Sequence, residues 1–331
     1  MKRSLLSTLL RLMMLIIVSL TVTTARGQSD PVFTQYWALP TLYNPAATGD
    51  SDFIRLRAAG RLQWVGIDNA PRSFAATADS PFKLFGKRAA AGVTFMQESL
   101  GLFNNLLVSG QASYKIPFRK GWFGVGVQAG YYNSRFKGSE IYIPDGDDYH
   151  EPDDPSAPKQ DVSGNAFDLS LGVNFCHPRF SVGISGLHLT SPTVSLKEEG
   201  DAENETVSYE THLRRTLYFT ASGNIPLQNS LFQVHPSLLV ASDFSSWTAD
   251  VSLRASYNRF ISFGASYRWK EAVSAMVGVE FKNFLLGYAY SYPISAIAKA
   301  SSGSHEIVAG YQLRLDMSGK NKNRQRSIRL M

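Results

Sequence analysis

Gly303-Ser304-His305-Glu306-Ile307-Val308-Ala309-Gly310-Tyr311-Gln312-Leu313-Arg314-Leu315 alternates between two kinds of side chain. In an extended strand, one face would carry Ile307, Ala309, Tyr311, Leu313 and Leu315, and the other Glu306, Val308, Gly310, Gln312 and Arg314. An apolar face opposite a mostly polar face is typical of a strand that lies between two different media. The same alternation recurs along most of the chain in pieces of roughly ten residues, which is the signature of a transmembrane β-barrel.

From Phe53 onward the alternation predicts about fourteen strands, an even number as in single-chain bacterial barrels. The predicted strands are 53–64, 72–80, 88–99, 104–117, 121–136, 165–176, 179–190, 212–226, 231–244, 246–257, 259–270, 272–282, 283–294 and 303–315. We therefore predict an all-β fold, an antiparallel up-and-down transmembrane barrel. The alternative is a soluble β-sandwich, whose core would also take up an apolar face.

Charged residues in the middle of predicted strands support the barrel. Asp250 and Arg254 share a face with Thr248 and Ser252, opposite Trp247, Val251 and Leu253. A charge that faces lipid near the bilayer midplane costs several kcal/mol, about 2–4 for arginine. We therefore expect these charged side chains to face the lumen. Aromatic residues near strand ends are candidates for the interfacial girdles of such a barrel; they include Trp64, Trp122, Tyr131, Tyr218, Trp247, Tyr257, Trp269, Tyr288, Tyr290 and Tyr292.

The lengths of the predicted connections give an independent argument for the same topology. Outer-membrane barrels have short periplasmic turns and longer external loops. With a periplasmic N-terminus, the external connections are 65–71, 100–103, 137–164, 191–211, 245, 271 and 295–302, and the three longest all fall on this side. The periplasmic side receives 81–87, 118–120, 177–178, 227–230, 258 and two near-zero turns.

The composition agrees with an exported membrane protein. The chain of 331 residues is 44% hydrophobic and 18% charged, and its mean hydropathy of −0.13 suits a barrel, in which every second residue faces a lumen. Residues 1–27 have the pattern of a signal peptide: Lys2 and Arg3 precede an apolar stretch that is shorter than the roughly 20 residues of a membrane-spanning helix. An uncleaved anchoring helix is the alternative.

Two segments flank the predicted barrel, which covers residues 53–315. Residues 28–52 are rich in proline and aromatic residues, and we expect them to form a strap or plug that is periplasmic or lumenal. Residues 316–331 form a basic tail. A solvated, disordered tail is one interpretation and an acidic lipid or protein partner is another; after an export signal, nucleic acid is not expected.

No pattern of catalytic or cofactor-binding residues stands out in the sequence. The single cysteine, Cys176, excludes an intramolecular disulfide, and the six histidines are scattered. There is no G-x-S-x-G motif and no glycine-rich phosphate loop. We therefore expect no enzymatic activity, no cofactor and no metal. The acidic stretches 145–154 and 198–205 carry oxygen ligands of the kind that calcium prefers, but they lack EF-hand spacing and are interpreted as solvated external loops.

Three segments together resemble the PorP/SprF family of outer-membrane proteins of the Bacteroidetes type IX secretion and gliding machinery. The first segment contains Asp30, Pro31, Phe33, Gln35 and Tyr36, followed by Tyr43, Asn44 and Pro45; the second contains Arg61, Trp64, Gly66 and Pro71; the third contains Gly303, His305 and Glu306. In order and spacing they cover nearly the whole mature chain. Trp37-Ala38-Leu39-Pro40 departs from the family pattern.

The resemblance implies a location in the outer membrane of a Gram-negative, Bacteroidetes-type bacterium. It also implies a role in export or surface attachment of secreted cargo, such as an adhesin, through the cargo's C-terminal domain, together with periplasmic and outer-membrane components of the type IX system. The candidate partner-binding residues lie in the two long acidic loops: Asp145, Asp147, Asp148, Tyr149, Glu198 and Glu199. We expect His305 and Glu306 to act as a pair at the rim or in the lumen that fixes barrel closure. A porin or solute channel is the alternative function.

Overall fold

A computed structural model describes residues 30–141, 158, 160–198, 209–227 and 231–315. These residues form a closed antiparallel β-barrel of fourteen wall strands. The predicted signal peptide and basic tail lie outside the described residues. Within the described part of the chain, no helix has the length and apolar character that a membrane-crossing helix requires.

The described residues contain seventeen strands in all. They are β1 (Phe53–Leu62), β2 (Arg72–Leu84), β3 (Lys87–Leu100), β4 (Phe103–Phe118), β5 (Gly121–Lys137), β6 (Asp161–His177), β7 (Phe180–Leu187), β8 (Thr193–Glu198), β9 (Tyr209–His212), β10 (Thr216–Gly223), β11 (Ile225–Pro226), β12 (Phe232–Ser242), β13 (Trp247–Tyr257), β14 (Ile261–Arg268), β15 (Ala272–Phe281), β16 (Phe284–Pro293) and β17 (Ser304–Arg314).

The barrel closes between its first and last strands. β17 pairs with β1 along ten residues, from Phe53 opposite Arg314 to Leu62 opposite His305. Each other wall strand pairs with its sequence neighbour in the wall, and β10 joins β7 directly. The prediction that the stretch 303–315 closes the barrel against the first strand is therefore confirmed.

The predicted number of wall strands is confirmed, and most predicted boundaries lie within a few residues of the observed ones. The hairpin β8–β9 was not predicted: it begins within the predicted loop 191–211 and ends at His212, the first residue of the next predicted strand. β8 pairs with Val162 and Ser163 of β6, along the part of β6 that the shorter strand β7 leaves unpaired. β8 does alternate, with Val194 and Leu196 buried and Thr193 and Lys197 exposed. However, β8 has 6 residues and β9 has 4, which is shorter than the stretches of roughly ten residues on which the prediction relied.

The wall has an apolar outside and a polar inside, as the alternation predicts. Ile307 is 55% exposed on the outer surface, whereas its neighbour Glu306 is 2% exposed in the lumen. Asp168, Asp250 and Arg268 are likewise buried inside. Two aromatic residues predicted for the girdles are instead turned inward: Tyr218 and Trp122 contact the N-terminal segment, because polar partners there accept their hydroxyl and indole hydrogens.

The two ends of the barrel differ in the length of their connections. At the end where β1 and β17 meet the chain termini, the connections are 85–86, 119–120, 178–179, 224–231, 258–260 and 282–283. The opposite end carries 63–71, 101–102, 138–160, 188–215, 243–246, 269–271 and 294–303. Because outer-membrane barrels keep their short turns in the periplasm, the second end is extracellular.

Candidate functional site

The lumen of the barrel is occupied by its own N-terminal segment, residues 30–50, which we call the lumen plug. Proline and aromatic residues interrupt regular structure here, so the plug is built from one short helix, Pro40–Tyr43, and two 3₁₀ turns, Tyr36–Ala38 and Pro45–Ala47. Phe33, Leu39 and Ala46 have no exposed surface. The proline-rich segment is therefore a folded part of the interior.

The plug begins near the extracellular end of the lumen. Asp30 binds His188, which follows β7, with 3.0 Å between Oδ1 and Nε2, and it accepts a hydrogen bond of 3.0 Å from the hydroxyl of Tyr218. The other ring nitrogen of His188 lies 2.9 Å from Asp168 of β6. The imidazole is thus held between two carboxylates, at 1% side-chain exposure.

This arrangement favours the charged forms of His188 and Asp30, neither of which belongs to a wall strand. Burial by itself would lower the pKa of His188, but the charges and hydrogen bonds of Asp30 and Asp168 raise it above its usual value. Burial would likewise raise the pKa of Asp30, but the attraction of His188 and the hydrogen bonds from His188 and Tyr218 outweigh burial and lower it. An imidazolium flanked by two carboxylates acts as an ionic anchor for the first residue of the plug.

A second anchor lies at Glu306 of β17. Its carboxylate accepts hydrogen bonds of 2.7 Å from the backbone amides of both Thr34 and Gln35, and it lies 3.8 Å from the guanidinium of Arg61. Arg61 also donates to the carbonyl of Val32. These contacts satisfy buried backbone groups that have no partner within a helix or sheet.

A cation from a different wall strand reaches the same carbonyl. Arg268 of β14 donates a hydrogen bond of 3.1 Å to the Val32 oxygen, while its Nε lies 3.1 Å from Asp250 of β13. Both guanidinium groups are almost fully buried. The plug therefore connects β1 and β17 with β13 and β14 across the lumen.

The middle of the plug is held by side chains that complete its backbone hydrogen bonds. The hydroxyl of Tyr43 accepts the amide of Phe33, which folds the plug back on itself at 2.9 Å. Asn44 accepts the amide of Ala46 at 2.8 Å and donates to the carbonyl of Val173 in β6 at 3.1 Å. The motif positions 43–45 are therefore the corner at which the plug meets the wall.

Glycines on the lumen side of several strands make room for this corner. A Cβ at Gly126 would lie 2.4 Å from the carbonyl carbon of Pro45, and one at Gly172 would lie 2.1 Å from Oδ1 of Asn44. A Cβ at Gly287 would similarly collide with the side chain of Gln35. Glycine at these lumen-facing positions leaves the space that plug atoms occupy.

The plug ends among charges near the periplasmic end. Lys115 of β4 binds the carboxylate of Asp50 and the carbonyl of Ala46. Asp79 of β2 accepts the amide of Gly49 at 2.8 Å and forms a salt bridge of 2.7 Å with Arg55. The chain then leaves the lumen and enters β1. The plug thus descends from the extracellular half of the lumen to the periplasmic end.

The remaining family-motif residues join the first and last extracellular connections. The amide of Val65 donates to the carbonyl of Gly303 at 2.8 Å, and the amide of Trp64 donates to the hydroxyl of Ser304 at 3.1 Å. Gly66 and Gly303 both have left-handed backbone, with φ values of 101° and 109°. The carbonyl of Pro71 accepts the amide of Gln63, which closes the base of the first connection. These residues hold the extracellular ends of β1 and β17 together.

The expectation that His305 and Glu306 form a pair is wrong. Successive residues of a strand point to opposite faces. Glu306 therefore reaches the plug, while His305 lies on the outer wall with its Nδ1 2.7 Å from the hydroxyl of Tyr288.

Five of the six candidate partner-binding residues lie outside the described residues: Asp145, Asp147, Asp148, Tyr149 and Glu199. Glu198 is the last residue of β8. The structure therefore does not bring the two acidic loops together as a described site. In the part of the chain that the structure describes, no group of three or more histidine, cysteine, aspartate or glutamate side chains could hold a metal ion.

Sequence reasoning identified the plug motif but missed its partners in the wall. His188, Asp168, Arg268, Lys115 and Asp79 come from five separate places in the chain. Each is a charged residue at an inward position or strand end, and that alternation could have marked them as lumenal. Which of them contact one another depends on the closed barrel.

A family model described as "Type IX secretion system membrane protein PorP/SprF" matches residues 25–311. No curated protein matches the chain.

Among solved structures, the chain is similar to the Ralstonia pickettii toluene transporter TbuX (13% identity, 83% of this chain and 93% of that chain, TM-score 0.46). It is also similar to the Acinetobacter baumannii outer membrane protein Omp33 (8% identity, 80% and 97%, TM-score 0.42). A third similar structure is the translocator domain of the autotransporter NalP from Neisseria meningitidis (17% identity, 80% and 87%, TM-score 0.41).

Proposed function

Because this chain belongs to the PorP/SprF family of type IX secretion system membrane proteins, we propose that it is a closed adaptor barrel that holds a secreted protein at the cell surface. In this role the barrel binds its cargo, for example the C-terminal domain of an adhesin, and performs no chemical step. The plug in the lumen is the observation that carries the proposal. A barrel whose interior is anchored at both ends offers its surfaces, and not its lumen, to partners.

The extracellular end supplies a folded surface for cargo. The hairpin β8–β9 continues the wall of β6 outward, with Val194 and Leu196 buried against it. Acidic residues of the candidate binding surface lie in the sequence between β8 and β9, at the end of β8 and in the connection 138–160. A connection whose ends are held by a hairpin paired with β6 would lose less entropy on binding. Periplasmic components of the type IX system would contact the opposite end.

The hairpin allows a direct test of the cargo surface. Replacing residues 199–208 with Asn-Gly should leave a four-residue connection between the paired residues Leu196 and Tyr209, because Lys197 and Glu198 stay in place beside β6. We expect this variant to insert normally and to release cargo from the cell surface into the medium. The matched control shortens the periplasmic connection 227–231, which lies at the opposite end of the barrel.

Cargo retention is measured by fractionation of cells and medium, and barrel folding by heat-modifiable electrophoretic migration. Unchanged cargo retention by a folded hairpin variant would count against the extracellular loop as the binding surface. Planar-bilayer conductance separates the adaptor from a solute channel. A steady open pore in the unmodified protein would favour the channel instead.

A further inference from the structure

A cavity of about 420 Å³ lies on the outer wall at the extracellular end of β17, β1, β2 and β3. Its lining includes Gly60, Leu62, Phe74, Gln97, His305 and Ile307. Arg61 and Ser73 also line it, but their side chains are buried on the inner face of the wall, where Arg61 contacts the lumen plug. The cavity therefore faces the lipid side of the barrel.

The strand register arranges the lining into two rows. His305, Leu62, Arg72 and Ser99 are successive cross-strand partners and form the upper row. Ile307, Gly60, Phe74 and Gln97 form the lower row in the same way. Directly paired residues of an antiparallel sheet share a face, so both rows point outward. The upper row is mostly polar and lies nearer the extracellular edge, while the lower row is mostly apolar.

The cavity exists because Gly60 has no side chain. A Cβ at Gly60 would have no atom within 4 Å, while Ile307 and Phe74 on either side are about half exposed. The next outward row toward the midplane contains the small residues Ala58, Ala76 and Ala309. The outer surface of the barrel thus has a shallow groove with bulky side chains on either side. It runs from the extracellular edge toward the middle of the bilayer.

Cationic and polar side chains lie at the upper end of this groove. Among the residues that the structure describes, Arg72 has no acidic partner. Its guanidinium can donate two parallel hydrogen bonds to a phosphate. His305 is oriented by its contact with Tyr288, and Ser99 of the same row adds a hydroxyl. An unpaired arginine above an apolar groove on the lipid side is complementary to an anionic amphiphile.

We propose that this groove binds an anionic, phosphate-bearing lipid of the outer leaflet. One acyl chain lies over Gly60 between Ile307 and Phe74, and the phosphate contacts Arg72 and His305. The interaction would fix the position of the barrel in the membrane beside the seam between its first and last strands. It does not depend on the cargo-binding role.

The test uses the full-length protein in nanodiscs of phosphatidylcholine that contain diphosphoryl lipid A. Native mass spectrometry measures the lipid that stays bound. Arg72→Gln should reduce retained lipid A about tenfold, as expected for loss of a charge-assisted hydrogen bond. Gly60→Leu should fill the groove and reduce it by a similar factor. Phosphatidylcholine alone should be retained poorly by every variant.

Two control variants match these changes. Gly110→Leu alters another outward glycine whose Cβ would meet no atom within 4 Å, and Lys270→Gln removes an exposed cation from a different extracellular turn. Both should retain lipid A like the unmodified protein. Equal retention by all variants would overturn the proposal, and so would a loss in Gly60→Leu without a loss in Arg72→Gln. In cells, a benzoylphenylalanine at position 60 should crosslink to lipid; a protein adduct there would assign the groove to a protein partner and overturn it.

Discussion

Removal of the Glu306 carboxylate should release the upper part of the lumen plug. Glu306→Ala leaves the amides of Thr34 and Gln35 without their acceptor and Arg61 without its carboxylate. Breaking a buried ion pair by removing one partner costs about 3–5 kcal/mol. Since about 1.4 kcal/mol corresponds to a factor of ten, the ratio of open to closed plug should rise by about 10² to 10⁴.

The release can be measured in two ways. Planar-bilayer recordings should show transient openings in Glu306→Ala that are absent from the unmodified barrel. In a Cys176→Ser background, Thr34→Cys should react with a soluble maleimide much faster when the Glu306 change is present, because Thr34 is otherwise 1% exposed.

The adjacent residue provides a matched control. His305→Ala alters a side chain on the outer wall that contacts Tyr288 and does not reach the plug. It should leave both conductance and labelling unchanged. If Glu306→Ala behaves like His305→Ala while its barrel remains folded, the carboxylate does not hold the plug and the reasoning is refuted.

Three further changes test other parts of the structure. Gly126→Leu should displace the plug, because even its Cβ would lie 2.3–2.5 Å from plug backbone atoms; bilayer conductance should increase. Asp30→Asn should lower the pH at which the plug loses its anchor at His188. The raised pKa of His188 stabilises the fold fully below the unfolded value of 6.5, and this stabilisation is lost as pH rises through the folded value. Asp30→Asn leaves His188 with one carboxylate, so the loss should come earlier; proteolysis of the plug measured against pH checks this, and an unchanged profile would contradict it. Gly303→Ala should destabilise the barrel by about 2–4 kcal/mol, because the backbone is left-handed there and the new Cβ would overlap the ring of Tyr290. The midpoint of urea unfolding should fall; an unchanged midpoint would contradict this prediction.

The wall could be predicted because its pattern is local. In β17, the apolar Ile307 faces lipid and the charged Glu306 faces the lumen, so the residue types alone indicate the two faces. The long connections indicated the extracellular end, because outer-membrane barrels keep their short turns in the periplasm. The hairpin β8–β9 was missed because its strands, of 6 and 4 residues, are too short for their alternation to stand out.

The plug contacts could not be predicted in this way. Asp30 and His188 are 158 residues apart, and Thr34 and Glu306 are 272 residues apart. The mature N-terminal motif indicated that this segment packs against something larger, but it did not indicate whether Glu306 or His305 would be its partner.

The amino-acid sequence alone therefore determined the barrel, its strand number and its orientation, because the solvent on each side of a strand selects side chains with a period of two. Tertiary structure decided what fills the barrel and how it is held. Closure of β1 against β17 brings distant strands around one lumen, and only then do buried carboxylates, guanidinium groups and lumenal glycines meet the plug backbone. The closing strand carries both kinds of information: its alternation is local, while the role of Glu306 depends on the chain segment that closure places opposite it.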